Sequence, residues 1–451
     1  MRPVSKSTEI LLPRWIVPVQ PEGLILEDHG VVIEDGRIAA VGRADGLAAS
    51  HPDARVTRLP DHVLIPGLVN IHTHSAMALM RGLADDLPLM RWLEDHIWPT
   101  EQRWVGAEFV RVGTDLAMAE MLAGGTTCFN DNYFFPDVTA AAADRAGMRA
   151  VVGIPVISVP TAWAQTEDEY FRRGLEMHQQ LLDFPLVTSA FAPHAPYTVT
   201  DQAFKRIRSL AEEMDIPVHL HLLEAAGEIQ GSLDQYGLSP LDRMDSLGLL
   251  TDRLLAVHMT QLDDADIARL ARAGVHVLHC PASNLKLASG ICRVADLDAA
   301  GVNVAIGTDG AASNNTLDMF AETRLAALLA KGASGDPEAV PAERALSMAT
   351  INGARALGMD DRIGSIEVGK RADLAAVDLS SLSTAPVHQI ISHLVYAASR
   401  HQVSDVWVEG RRVVQQGELT TLDTDRTALE AEQWGLRLRE SDRGGPEGTV
   451  S

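Results

Sequence analysis

Two histidines stand one residue apart in GLVNIHTHSAM, residues 67–77, just after the apolar run Val63, Leu64, Ile65. Alternate side chains of a strand share a face, so His72 and His74 point the same way with Thr73 opposite. Neighbouring imidazoles repel when protonated and waste hydrogen bonds when neutral, unless a cation sits between them, and a metal ion is the usual answer. An isolated HxH is a weak signal; a packed pair of strand histidines is the alternative.

Other apolar, β-prone runs also end in polar residues. VTSAFAPHAPY ends near His194, PVHLHLLE carries His219, His221 and Glu224, and LLAVHMT ends near His258. HVLHCPASN carries His276 and His279, and VNVAIGTDG carries Asp309. Convergence of six strands on one rim makes a metal centre the better reading. A catalytic zinc site takes three or four protein ligands and keeps a position for water. His72, His74, His221 and Asp309 form such a set of three nitrogens and one oxygen. His219, two residues before His221, is expected deeper, bracing the site, while His276 and His279 fit a core role equally well.

The elements that must position these residues are eight β-prone runs separated by helical stretches such as DQAFKRIRSLAEEM and DDADIARLARAG. That alternation predicts an α/β fold, a (β/α)8 barrel whose reactive groups lie at the C-terminal strand ends. Both chain ends read differently. GVVIEDGRIAAVG and SDVWVEGRRVV are hairpins with Asp-Gly and Glu-Gly at their turns. The expected division is a composite β-sandwich from residues 1–60 and 368–425, a barrel over 61–367, and a C-terminal helix with a polar tail over 426–451.

Of the 451 residues, 46% are hydrophobic and 22% charged, which suits a globular enzyme. A net charge of −23, from 61 acidic and 38 basic residues, excludes nucleic acid and anionic membrane as partners. Cys128, Cys280 and Cys292 form no CxxC pair and no disulfide framework, so a reduced, cytoplasmic setting is expected. No signal peptide and no bilayer-spanning run is apparent.

With these residues in hand the chain resembles the amidohydrolase superfamily, through PGLVNIHTH, HLHLLEAAGE, LAVHMT, GTDGAASNN and GKRADLAAVD. Within it, the stretch HTHSAMALMRGLADDLPLMRWLEDHIWPTEQRW, with APHAPYT and CPASNLKLASG, is similar to the 5'-methylthioadenosine/S-adenosylhomocysteine deaminases. The resemblance implies His72, His74, His221 and Asp309 as metal ligands and Glu224 as proton shuttle. It also implies Glu101 and His194 as contacts of a nucleoside's ribose, with Trp92 packing nearby. A homo-oligomer is expected on the same ground.

Two departures shape the expectation. The fourth strand offers no lysine for a second metal, which favours one divalent ion, zinc before iron, manganese or nickel. The segment RAVVGIPVISVPTAWAQ lacks an arginine suited to a homocysteine carboxylate, and this favours methylthioadenosine and adenosine over S-adenosylhomocysteine.

The chemistry fits hydrolytic deamination of an adenine ring. A divalent metal lowers the pKa of water to about 7. Asp309 can orient the attacking oxygen, His258 can stabilise it, and Glu224 can protonate the ring nitrogen and then the departing amine. Alternatives are a guanine or pterin deaminase, a triazine hydrolase, or a non-catalytic metal-binding barrel. Glu101 and His194 discriminate against the first three, and Glu224 against the last.

Overall fold

The computed structural model describes residues 8–443. Eight parallel strands form one sheet: β6 (Leu68–Thr73), β7 (Thr126–Asp131), β8 (Arg149–Val156), β9 (Val187–Pro193), β10 (Val218–Leu222), β11 (Leu254–His258), β12 (His276–His279) and β13 (Asn303–Ile306). Every residue of β6, β7, β8, β10 and β11 is buried. Parallel strands covered on both faces need such continuous apolar runs, because helices pack outside and side chains fill the interior.

The last strand meets the first at its C-terminal end, where the Asp309 N–H donates to the His72 carbonyl at 3.0 Å. Below it, the Thr308 N–H donates to Asn70 Oδ1 at 3.0 Å. Gly307 permits this approach, since a Cβ there would lie 2.8 Å from the His72 nitrogen. The eight strands anticipated from periodicity are the eight strands of the barrel.

The chain ends supply the second sheet: β1 (Glu9–Ile16), β2 (Leu26–Glu27), β3 (His29–Glu34), β4 (Arg37–Arg43), β5 (Arg55–Pro66), β14 (Leu374–Asp378), β15 (Val403–Val408), β16 (Arg411–Gln415) and β17 (Glu418–Leu419). It is mixed, in the order β17-β16-β15-β14-β5-β1-β3-β4, with β2 on β1. Antiparallel pairing of β5 with β14 joins the two halves, and Leu11, Ile33, Leu64, Leu374 and Trp407 share one core. Residues 61–66, assigned to the barrel from sequence, lie in β5 of this sheet instead. Leu64 joins that sheet's core while Val63 and Ile65 face the large cluster shared with Leu68 and Phe129, and the barrel strand proper starts after Gly67.

Both hairpin turns use left-handed backbone, Asp35 with Gly36 and Glu409 with Gly410. They pack on each other so closely that a Cβ on Gly410 would come 2.9 Å from the Gly36 Cα. A buried ion pair ties this sheet to the barrel base: Arg149, at the start of β8, donates to Asp373 at 2.8 Å and to Glu409 at 2.7 Å. Breaking such a pair leaves an uncompensated buried charge, a loss of about 3–5 kcal/mol.

A helix spans Thr424–Arg443. The polar tail expected beyond it lies outside the described residues. No helix among the described residues is long and apolar enough to cross a membrane.

Candidate active site

The C-terminal strand ends open into a cavity of about 670 Å³. His74, His194, His221, Glu224, His258 and Asp309 all line it. His72 sits beneath, fully buried at the end of β6. Glu101 arrives from outside the strand set, on the helix Trp98–Trp104, and lines the same cavity.

Four side chains converge at the floor. Asp309 Oδ1 lies 3.2 Å from His72 Nε2 and 3.2 Å from His74 Nε2. His74 Nε2 lies 3.3 Å from His221 Nε2. His74 Nδ1 donates to the Asn132 carbonyl, and His221 Nδ1 donates to the His194 carbonyl at 2.6 Å. A ring that donates from Nδ1 to a carbonyl turns a bare lone pair outward at Nε2. Two lone pairs this close repel, and the buried Nε2 of His72 has no hydrogen-bond donor.

This donor set fits a divalent cation: imidazole nitrogens and a carboxylate oxygen are ligand types that zinc takes. His72, His74 and Asp309 alone, or His72, His221 and His258, bring their ligand atoms within 4.8 Å of one another.

Neighbouring groups orient the ligands. His219 Nε2 meets His72 Nδ1 at 2.8 Å, the bracing contact its position suggested. Asp309 Oδ2 accepts from Ser283 Oγ at 2.6 Å and Ser313 Oγ at 2.9 Å, and Oδ1 from the Gly310 N–H at 2.7 Å. Burial opposes the Asp309 charge, and positive charge at His72 and His74, a proton on the rings or a cation in its place, holds the carboxyl well below its usual range.

Glu224 lies just past β10, where Leu223 adopts φ +52°. Its Oε2 is 3.7 Å from His258 Nε2, and Ser289 Oγ donates to its Oε1 at 3.5 Å. Its backbone N–H donates to Glu228 at 2.9 Å. Burial raises the Glu224 pKa, so its carboxyl keeps a proton to higher pH than an exposed one. His258 stacks on His221 with ring centroids 5.5 Å apart, and its Nδ1 donates to Asn284 Oδ1 at 2.8 Å. That bond leaves Nε2 facing Glu224.

On the opposite wall, Glu101 Oε1 accepts from Tyr133 Oη at 2.8 Å. Burial pushes the Glu101 pKa up to about 7 against that bond. His194 Nδ1 pairs with Thr198 Oγ1 at 2.9 Å, and burial pulls its pKa down to about 4. Trp92 is buried and lines the cavity. Among the described residues, no lysine or arginine lines it.

Asn132, Tyr133, Ser283, Asn284, Ser313 and Glu228 were not singled out from sequence. Only the polar clusters in CPASN and GAASNN hinted at three of them. His279, by contrast, is fully buried, as its core reading allowed.

The amidohydrolase family matches residues 63–413, and a bacterial imidazolonepropionase-like composite domain matches residues 30–54. A 5-methylthioadenosine/S-adenosylhomocysteine deaminase of Teredinibacter turnerae is 49% identical over 94% of this chain and 96% of its own. One from Thermodesulfovibrio yellowstonii is 39% identical over 96% of this chain and 100% of its own. Among solved structures, an adenosine deaminase from Xanthomonas campestris with bound zinc has 54% identity and a TM-score of 0.93, covering 96% of this chain and 99% of that one. An atrazine chlorohydrolase of Arthrobacter aurescens shares the fold alone, at 24% identity and TM-score 0.87, over 95% and 100% of the two chains. By these matches the chain belongs to the amidohydrolase family and, within it, to the 5-methylthioadenosine/S-adenosylhomocysteine deaminases.

Proposed function

We propose that this protein hydrolytically deaminates adenosine-type nucleosides, 5'-methylthioadenosine foremost, to the inosine derivative and ammonia. The observation that carries the reading is a buried cluster of imidazole nitrogens and one carboxylate at the floor of the cavity that Glu224 also lines. His72, His74, His221 and Asp309 would hold one divalent ion, zinc. When bound, it supplies the Lewis acidity that lets water ionise near pH 7.

Asp309 takes the proton of the attacking water and orients that oxygen toward the ring carbon bearing the amine. Glu224, protonated at the outset, gives its proton to the adjacent ring nitrogen. It then takes the proton left on the added hydroxyl and passes it to the amine. The amine leaves as ammonia while the ring carbon keeps the oxygen as a carbonyl, and the proton held by Asp309 returns to Glu224 to close the cycle. His258 holds the attacking oxygen through Nε2. Such positioned proton transfers contribute about 10²–10⁴ in rate. Glu101 accepts hydrogen bonds from the two vicinal ribose hydroxyls, His194 contacts the ribose, and Trp92 covers the nucleoside.

Charge decides the preference among substrates. With no lysine or arginine among the described residues of the cavity wall, a homocysteine carboxylate would be desolvated without a partner, a cost of several kcal/mol. Arg172 is engaged by Glu176 at 3.0 Å, and Arg173 lies over the Trp163 ring. Ile157, Val159 and Pro160 instead offer an apolar wall to an uncharged methylthio group. The enzyme works in the cytoplasm as a homo-oligomer.

Ammonia release from methylthioadenosine, adenosine, S-adenosylhomocysteine and guanine, with and without chelator, tests the proposal. The expected order puts methylthioadenosine first and S-adenosylhomocysteine last, with all activity chelator-sensitive. Turnover of guanine or a triazine with none of any adenosine derivative would sink it.

A further inference from the structure

We propose that the C-terminal helix Thr424–Arg443 is a positioning element for the ribose end of the cavity, acting through Trp434 on the helix that carries Glu101. The inference rests on the reading of Glu101 as acceptor for the ribose hydroxyls. The helix lies beyond residue 413, where the family match ends.

Trp434 is buried, 7% exposed, and stands edge-on to two rings. Its centroid is 6.0 Å from Trp104 and 5.3 Å from Phe109, at interplanar angles of 89° and 85°. Trp104 closes the helix Trp98–Trp104, and Glu101 sits one turn earlier on it. Residues three apart lie on neighbouring stations of a helix face, so the packing of Trp104 sets the rotation that presents Glu101.

Trp434 and Leu438 also belong to the same apolar cluster as Met77, Trp92 and Tyr133, which line the cavity. Tyr133 is the residue that donates to Glu101. A salt link pins the helix from the side: Arg111 reaches Glu430 at 3.0 Å and Asp115 at 3.4 Å. Buried aromatic edges of this kind hold a helix more rigidly than exposed charges do. The final helix thus backs the wall holding Glu101, and Trp434 is not itself among the residues that line the cavity.

Steady-state kinetics on adenosine and on 2',3'-dideoxyadenosine, which lacks both hydroxyls, test this. Trp434→Ala is expected to raise KM for adenosine about 10-fold with kcat within about 2-fold, because misplacing a positioned contact weakens binding first. The dideoxy substrate and the bound-metal content stay unchanged, Trp434→Phe restores most of the loss, and Trp434→Ala adds nothing to Glu101→Ala. Equal losses on both substrates, or additivity with Glu101→Ala, overturn the inference. Glu101→Ala alone separates the two layers. If it treats both substrates alike, the ribose reading falls and this inference falls with it. If it distinguishes them and Trp434→Ala does not, only this inference falls. Should Trp434→Ala fail to fold, Trp434→Leu fills the space without an aromatic edge and is read by the same criteria.

Discussion

The Nε2 atoms of His74 and His221 face each other at 3.3 Å, while each ring's Nδ1–H is committed to a backbone carbonyl. The carbonyls belong to Asn132 and His194, residues just beyond β7 and β9, so the strand ends themselves set the tautomers. With both rings neutral neither nitrogen can donate to the other, and the contact is repulsive until a proton or a metal ion bridges it. Against burial, and beside Asp309, the His74 pKa rises to about 9, so a proton takes that place when no metal is bound. Removing the metal should therefore destabilise as well as inactivate. Adding zinc back to stripped protein should raise Tm, since a ligand at 100 times its Kd stabilises by about 2.7 kcal/mol. Calorimetry with and without chelator checks this, and an unchanged Tm would argue against a shared cation.

Glu224 is assigned the moving protons. Glu224→Gln removes the acid without changing shape, and kcat should fall about 10²- to 10⁴-fold while metal content is retained. Because burial raises its pKa, the protonated donor persists to higher pH, and activity should decline as pH rises through that raised value. Near-normal turnover by the glutamine variant would refute the role.

Glu101 titrates near neutrality, its pKa lifted to about 7 by burial. Only the carboxylate accepts from both ribose hydroxyls, so KM for nucleosides should fall as pH rises from 6 to 8. Glu101→Gln should flatten that profile and raise KM about 10-fold or more, the loss of a hydrogen bond to a charged group being about 1.5–3 kcal/mol. A KM profile unaffected by the substitution would count against ribose recognition.

Asn284 fixes His258 by accepting its Nδ1–H at 2.8 Å. Asn284→Leu leaves that proton unpaired and the ring free to change tautomer. Activity should drop about 10- to 100-fold, as for other groups that orient a reacting histidine, with metal content preserved. An unchanged kcat would leave His258 a packing residue.

Much of this was legible in the chain. Apolar runs buried on both faces read as barrel strands, and period-two spacing put His72 and His74 on one side. Asp-Gly and Glu-Gly read as hairpin turns. Contacts between distant segments left no such trace. Asn132 and Asn284 act through where neighbouring loops meet, Tyr133 through its reach to a helix, and Trp434 through a helix near the far end of the chain. No local spacing encodes those meetings. The barrel boundary slipped to Pro66 for a related reason, because the run Val63–Ile65 is equally apolar whichever sheet buries it.

X-ray absorption at the metal edge of the purified holoenzyme, with metal content counted per chain, tests the central claim most directly. One ion per chain is expected, with three imidazole nitrogens and carboxylate oxygen in its shell, and with one imidazole lost in His221→Ala. A sulfur ligand, a second metal scatterer, or a shell indifferent to His221→Ala would contradict it.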